Sequence, residues 1–223
     1  MALHPFISNM LDALSDRPAL SDGSPQDARE LVAAGRAALG ASVEVEEVRS
    51  VDIDTRAGRA DGLLVIPGKE NPAGLIVYVH GGGWVVGSPD DFAIYARALA
   101  RESGCAVLLP RYRLAPEEKF PAGLEDVEDA LLWARRNVVA LAGHKVPIVA
   151  AGDSAGGNLV TVALRRLGSR MEVALQVLIY PVTDTDTSRP SYGEFGRGLT
   201  LSARDMRWFF DHYTTGPLDH PDI

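Results

Sequence analysis

Ile148-Val149-Ala150-Ala151-Gly152-Asp153-Ser154-Ala155-Gly156-Gly157-Asn158-Leu159 begins as a short apolar run with β-branched residues, the pattern of a buried strand. It passes through Gly-Asp-Ser-Ala-Gly-Gly into Asn158-Leu159-Val160-Thr161-Val162-Ala163-Leu164, which reads as a helix. Gly152-x-Ser154-x-Gly156 at that junction has the spacing of a nucleophile elbow. A turn this tight admits only small residues two places before and after the serine. It holds Ser154 on strained backbone, with the hydroxyl exposed at the carboxyl end of a sheet. The helix N-terminus behind it offers unpaired N–H groups to a developing negative charge. A Gly/Ser-rich turn joining any strand to any helix would give the same five letters, so the flanking strand and helix carry the reading.

Working outward, a second apolar strand, Leu75-Ile76-Val77-Tyr78-Val79, runs directly into His80-Gly81-Gly82-Gly83-Trp84. A glycine run after a strand lets backbone N–H groups converge on one point, as a tetrahedral oxyanion requires. A phosphate loop is the rival reading, but no Gly-Lys-Ser/Thr follows. From Gly74 onward strands and helices alternate: strand 75–79, helix about 90–103, strand 105–109, helix about 121–142, strand 147–151, helix about 155–167 and strand 173–180. That order specifies an α/β fold, a mostly parallel sheet with helices on both faces. Upstream, 43–53 and 60–67 alternate around Arg56-Ala57-Gly58 and read as an antiparallel pair with one wet face. The acidic run Glu125, Asp126, Glu128 and Asp129 reads as the solvated face of its helix. Leu201-Ser202-Ala203 opens a last helix, whose aromatics Trp208, Phe209 and Tyr213 read as packing.

The two glycine-rich motifs in this order resemble the hormone-sensitive-lipase-like (bacterial family IV) carboxylesterases of the α/β-hydrolase fold. Tyr112-Arg113-Leu114-Ala115-Pro116-Glu117 with Phe120-Pro121-Ala122 is similar to a further segment of that family, and Leu178-Ile179-Tyr180-Pro181-Val182-Thr183-Asp184 to another. Arg111 departs from the pattern, since an aspartate commonly precedes the tyrosine. The resemblance covers the chain from about Val43 to the end. It implies a serine esterase of short-chain acyl esters acting through an acyl-enzyme intermediate, without metal or organic cofactor. Ser154 would be the nucleophile, and the N–H groups of Gly82, Gly83 and Ala155 the oxyanion hole. Trp84 would line the substrate pocket, His80 would orient the glycine loop, and Asp153 would brace the elbow.

Residues 1–40 form a region of their own. His4 to Leu14 is amphipathic at helical spacing. A second helix starts with Ser24 as N-cap and Pro25 at its first position, and runs to Gly40. The resemblance implies that these helices are a cap over the site, with 41–223 as the catalytic domain.

Composition bounds the partners. The net charge of −8, from 22 basic and 30 acidic residues, argues against nucleic acid and anionic membranes. No apolar run is long enough to cross a bilayer, and the N-terminus, with Asp12 and Asp16, does not read as a signal peptide. The single Cys105 excludes an internal disulfide and reads as a small buried residue, so a cytoplasmic protein is expected. No metal-spaced cluster of His, Cys and Asp is visible.

In a serine site of this type the acid and histidine follow the nucleophile in the chain. Only His212 and His220 lie after Ser154. The first falls within a helix, the second in Asp219-His220-Pro221-Asp222. Neither matches the family's acid and histidine segments, which follow two further strands. The expectation is therefore a truncated α/β-hydrolase with its last two strands missing and impaired activity. Asp184, after the strand that follows the elbow helix, is the candidate substitute acid. A non-catalytic small-molecule binder and a fragment that joins a complementary chain are the alternatives. The strand 173–180 would become a long apolar edge, which predicts a homo-oligomer or edge-strand pairing.

Overall fold

The structure is a computed structural model that describes residues 3–68 and 70–223. Strand alternation explains its layers. In β3 (Leu75–Val79) every residue is buried. Leu75, Val77 and Val79 point to one side of the sheet, into a cluster with Leu131 of α4 (Ala122–Ala142) and Leu159 of α5 (Ala155–Leu167). Ile76 and Tyr78 point to the other, against Ala96 and Ala100 of α3 (Ala93–Ser103). A strand covered on both faces has no position for a polar side chain, so it reads as a continuous apolar run. The same holds for β4 (Ala106–Pro110), also buried throughout.

The sheet has six strands in the order β1-β2-β4-β3-β5-β6, with β1 (Glu47–Thr55), β2 (Gly58–Ile66), β5 (Ile148–Asp153) and β6 (Leu175–Ile179). The β1–β2 hairpin is antiparallel and β2 joins β4 antiparallel, while β4, β3, β5 and β6 run parallel. The chain goes from β3 outward to β4 on one side and to β5 on the other. A crevice therefore opens at the carboxyl ends of β3 and β5, where helices leave the sheet in opposite directions. The glycine run and Ser154 occupy those two ends. Ahead of the sheet lie α1 (Pro5–Leu14), a 3-10 turn at Leu20–Asp22, and α2 (Pro25–Gly35); behind it come α6 (Pro190–Phe195) and α7 (Ala203–Tyr213). Among the described residues no helix is long and apolar enough to cross a membrane.

Local signals held at several boundaries. Ser24 caps α2, its hydroxyl accepting from the Asp27 N–H while Asp27 reaches back to Ser24, with Pro25 at the first position. The helix ends at Gly35 rather than Gly40, and 36–39 form a 3-10 turn. The helix Pro190–Phe195 had no counterpart in the sequence reading, because six residues show no readable periodicity. Cys105 sits half-buried just ahead of β4 rather than inside it.

One expectation is corrected. The acidic run on α4 is not a solvated face: Asp126 is 4% exposed and Glu128 3%. The helix packs against α5 and β1, so those carboxylates meet arginines from distant parts of the chain. Arg113 donates to Asp126 through Nε at 2.8 Å and through its backbone N–H at 2.9 Å. Arg56 reaches Glu128 at 2.8 Å and Asp129 at 3.0 Å, and Arg166 pairs with Glu128 at 2.8 Å. The buried charge of Asp126 is tolerated because Arg113 forms a forked, charge-assisted pair with it, while Arg56 and Arg166 lie at ion-pair distance from Glu128.

At the far edge, β6 pairs only with β5 among the described residues. Leu175, Val177, Leu178 and the adjoining Tyr180 are exposed. The edge expected from the sequence is present, on an uncharged strand.

Candidate active site

Ser154 caps the N-terminus of α5 with φ 50° and ψ −119°, a backbone conformation that side chains other than glycine rarely adopt. Neighbours over-determine it. The Ser154 N–H donates to Ile179 O at 2.9 Å, and the Ser154 carbonyl accepts from Asn158 at 3.1 Å and Val182 at 3.2 Å. The flanking glycines are steric necessities. A Cβ on Gly156 would overlap the carbonyl oxygen of Val79, and one on Gly152 would fall 2.6 Å from the Gly156 carbonyl carbon. The elbow is thus pressed against the end of β3, and that contact brings the two sequence motifs together.

Asp153 fixes the separation between them. One carboxylate oxygen accepts from the Tyr78 hydroxyl at 2.8 Å and from the Gly81 N–H at 2.9 Å. Burial raises its pKa, and the hydrogen bonds from Tyr78 and Gly81 oppose that rise. Tyr78 was invisible as a site residue in the sequence, since it reads only as an inward strand residue. Its place three residues before the glycine run was the available signal.

His80 is 1% exposed, lying between Tyr112 and Phe92 with ring centroids 4.5 and 5.4 Å away. Its Nδ1 lies 2.7 Å from Gly81 O, which as an acceptor places a proton on that nitrogen. The Tyr112 hydroxyl donates to His80 O at 3.0 Å. Burial lowers the imidazole pKa to about 4, so the ring is neutral at pH 7. The contact with Gly81 O ties the ring to the glycine loop.

Gly82 and Gly83 border a cavity of about 230 Å³ together with Ser154. Gly83, at φ 56°, lies directly under the ring of Phe209, where a Cβ would overlap the aromatic carbons. Trp84 also borders this cavity, but its ring is 2% exposed and stacked on Tyr213 at 4.3 Å. Ala155 is buried at the first position of α5. A second, more open cavity of about 830 Å³ meets the first at Ser154 and is bordered by Tyr180, Asp184, Tyr192 and Phe195.

The remaining candidates lie elsewhere or are engaged. The Asp184 carboxylate caps the Asp186 N–H at 2.9 Å and pairs with Arg189, and these contacts, in that order, lower its pKa. The His212 Nδ1 lies 2.7 Å from Trp208 O, and the His220 Nδ1 accepts from the Asp222 N–H at 3.1 Å. Among the described residues no imidazole is hydrogen-bonded to Ser154, and no group of three or more His, Cys, Asp or Glu side chains could hold a metal ion.

A mostly parallel sheet with a strained serine between strand and helix, facing a glycine loop at the switch point, defines an α/β-hydrolase site. A family model for the alpha/beta hydrolase fold matches residues 76–223, and the chain belongs to that family, among its hormone-sensitive-lipase-like esterases. Its similarities are to esterases. The structure of a hyperthermophilic esterase from the archaeon Pyrobaculum calidifontis superposes with a TM-score of 0.90 at 34% identity, covering 98% of this chain and 72% of that one. The ethyl acetate hydrolase of Pseudomonas putida is 36% identical over 190 residues, 82% of this chain and 60% of that protein. The carboxylesterase NlhH of Mycobacterium tuberculosis is 39% identical over 179 residues, 76% and 56% respectively. The chain spans about three fifths of the length of these curated relatives.

Proposed function

We propose that this chain carries the nucleophile and oxyanion hole of a serine carboxylesterase acting on short-chain acyl esters. The observation that carries the reading is the strained Ser154, held where two cavities meet and bordered by the glycine loop. In this reading the Ser154 hydroxyl attacks the ester carbonyl, and the N–H groups of Gly82, Gly83 and Ala155 stabilise the oxyanion. The alcohol leaves, and water hydrolyses the acyl-serine. The small cavity and the ester for which the Pseudomonas relative is named support short acyl groups. The N-terminal segment acts as a cap, supported by Leu20 among the residues that line the smaller cavity.

A serine hydroxyl is a weak nucleophile until a base takes its proton. With no imidazole hydrogen-bonded to Ser154 among the described residues, this reading makes the chain by itself impaired, with oxyanion stabilisation alone worth about 10³–10⁴ over water. The same observation favours a second reading, in which the pocket binds a small ester or carboxylate without turnover. Hydrolysis of p-nitrophenyl butyrate, with Ser154→Ala as control, separates the two. Ser154-dependent turnover supports the esterase. A rate equal to the variant's leaves the binder.

A further inference from the structure

The smaller cavity is lined in part by a residue far from Ser154 in the chain. Gly82, Gly83, Phe209 and Leu20 are among the residues that line it. Leu20 belongs to the 3-10 turn Leu20–Asp22 between α1 and α2, and that turn is fastened to the start of α7. The Ser21 N–H donates to Asp205 Oδ1 at 3.0 Å. Arg204 donates to Ser21 O at 3.0 Å and to Asp22 at 2.7 Å. Asp205 is 2% exposed and has a second task. Its other oxygen accepts from the Ser202 N–H at 2.9 Å and the Ser202 hydroxyl at 2.6 Å, completing the capping box of α7. One buried carboxylate therefore holds both the start of α7, which brings Met206 and Phe209 to the cavity, and the turn that brings Leu20 to the same cavity.

We propose that Leu20 is the wall that limits the length of acyl chain accepted beside the oxyanion glycines, and that Asp205 is its positioning residue. The inference rests on the esterase reading of Ser154. An ester carbonyl whose oxygen faces Gly82 and Gly83 directs its acyl substituent into the compartment those glycines border. At about 30 Å³ for each water-sized group, a compartment of about 230 Å³ holds about seven to eight non-hydrogen atoms, which with both carboxylate oxygens counted is an alkanoate of roughly six carbons. Leu20→Ala removes three side-chain carbons from the wall and opens room for about as many in the ligand.

The test titrates the chain with n-alkanoates from acetate to decanoate and follows the Met206 methyl signal by NMR. With four methionines in the chain, Met206→Leu assigns the signal. Affinity is expected to rise about fourfold per methylene up to roughly six carbons and then stop rising. In Leu20→Ala the break moves two to three carbons longer. In Asp205→Asn, which keeps an acceptor but disturbs the double clamp, it moves the same way, and the double variant moves no further. Loss of stability with an unmoved break is what a purely structural Asp205 would give. A break at the same length in Leu20→Ala overturns the wall, even if p-nitrophenyl butyrate hydrolysis still depends on Ser154. No response to any alkanoate, together with no Ser154-dependent hydrolysis, overturns the esterase reading and this inference with it.

Discussion

Replacing Asp153 with alanine tests the argument that one buried oxygen joins the elbow to the glycine loop. Asp153 Oδ1 is the acceptor for both the Tyr78 hydroxyl and the Gly81 N–H. Tyr78 is itself buried, so no solvent replaces the lost acceptor. A buried donor left without a partner costs about 1–3 kcal/mol, which puts Asp153→Ala at about 2–6 kcal/mol for the two groups. For a chain of this size that lowers Tm by about 4–24 °C. Asp153→Asn keeps an oxygen in the Oδ1 position and both hydrogen bonds, so its cost is within about 1 kcal/mol. Charge sharpens the contrast. Burial makes the folded carboxyl bind its proton more readily than the unfolded one, so this group lowers stability as pH rises from 3.8 through its raised folded value. At neutral pH the ionised carboxylate is thus partly a liability that asparagine removes. Toward acidic pH the wild type gains on Asp153→Asn. The assay is guanidinium unfolding followed by tryptophan fluorescence at pH 7, repeated at lower pH. An alanine variant within about 0.5 kcal/mol of wild type refutes the bridge, as do alanine and asparagine variants that fall equally.

His80 gives a pH prediction of the opposite sign. Its folded pKa of about 4 lies below the ordinary 6.5, so the unfolded chain takes up this proton first and stability falls as pH drops from about 6.5 to 4. The slope from this group is about 1.4 kcal/mol per pH unit, and His80→Asn, which can still donate to Gly81 O, should remove it from a pH series of unfolding curves. The uncharged edge of β6 predicts self-association that grows with concentration in light scattering. Val177→Lys, placing a charge on that edge, shifts the protein toward monomer, and a wild type already monomeric at high concentration counts against edge pairing.

How much of the site was legible depended on whether its signal was local. The elbow was readable because its constraint is written into adjacent residues. Gly152 and Gly156 leave space for a turn that no Cβ would fit, and Ser154 lies between them. The glycine loop after β3 was readable for the same reason, as was the capping box at Ser24. Continuous apolar runs at 75–79 and 105–109 marked strands, found at 75–79 and 106–110 and buried throughout, and the alternation of strands and helices fixed a parallel sheet. Composition and periodicity are local properties, and these features follow from them. Side-chain partnerships across the fold left no such trace. Asp126 and Glu128 carry the composition of a wet helix face, but packing sets Arg113, Arg56 and Arg166 over them and buries them. Asp153 received a bracing role from the sequence, but Tyr78 as its partner came only from the pairing of β3 with β5. Leu20 and Asp205 lie on segments separated by most of the chain, and neither has a motif. A sequence shows which groups are able to pair. Which of them do pair is decided when the sheet order and helix packing bring them within hydrogen-bonding distance.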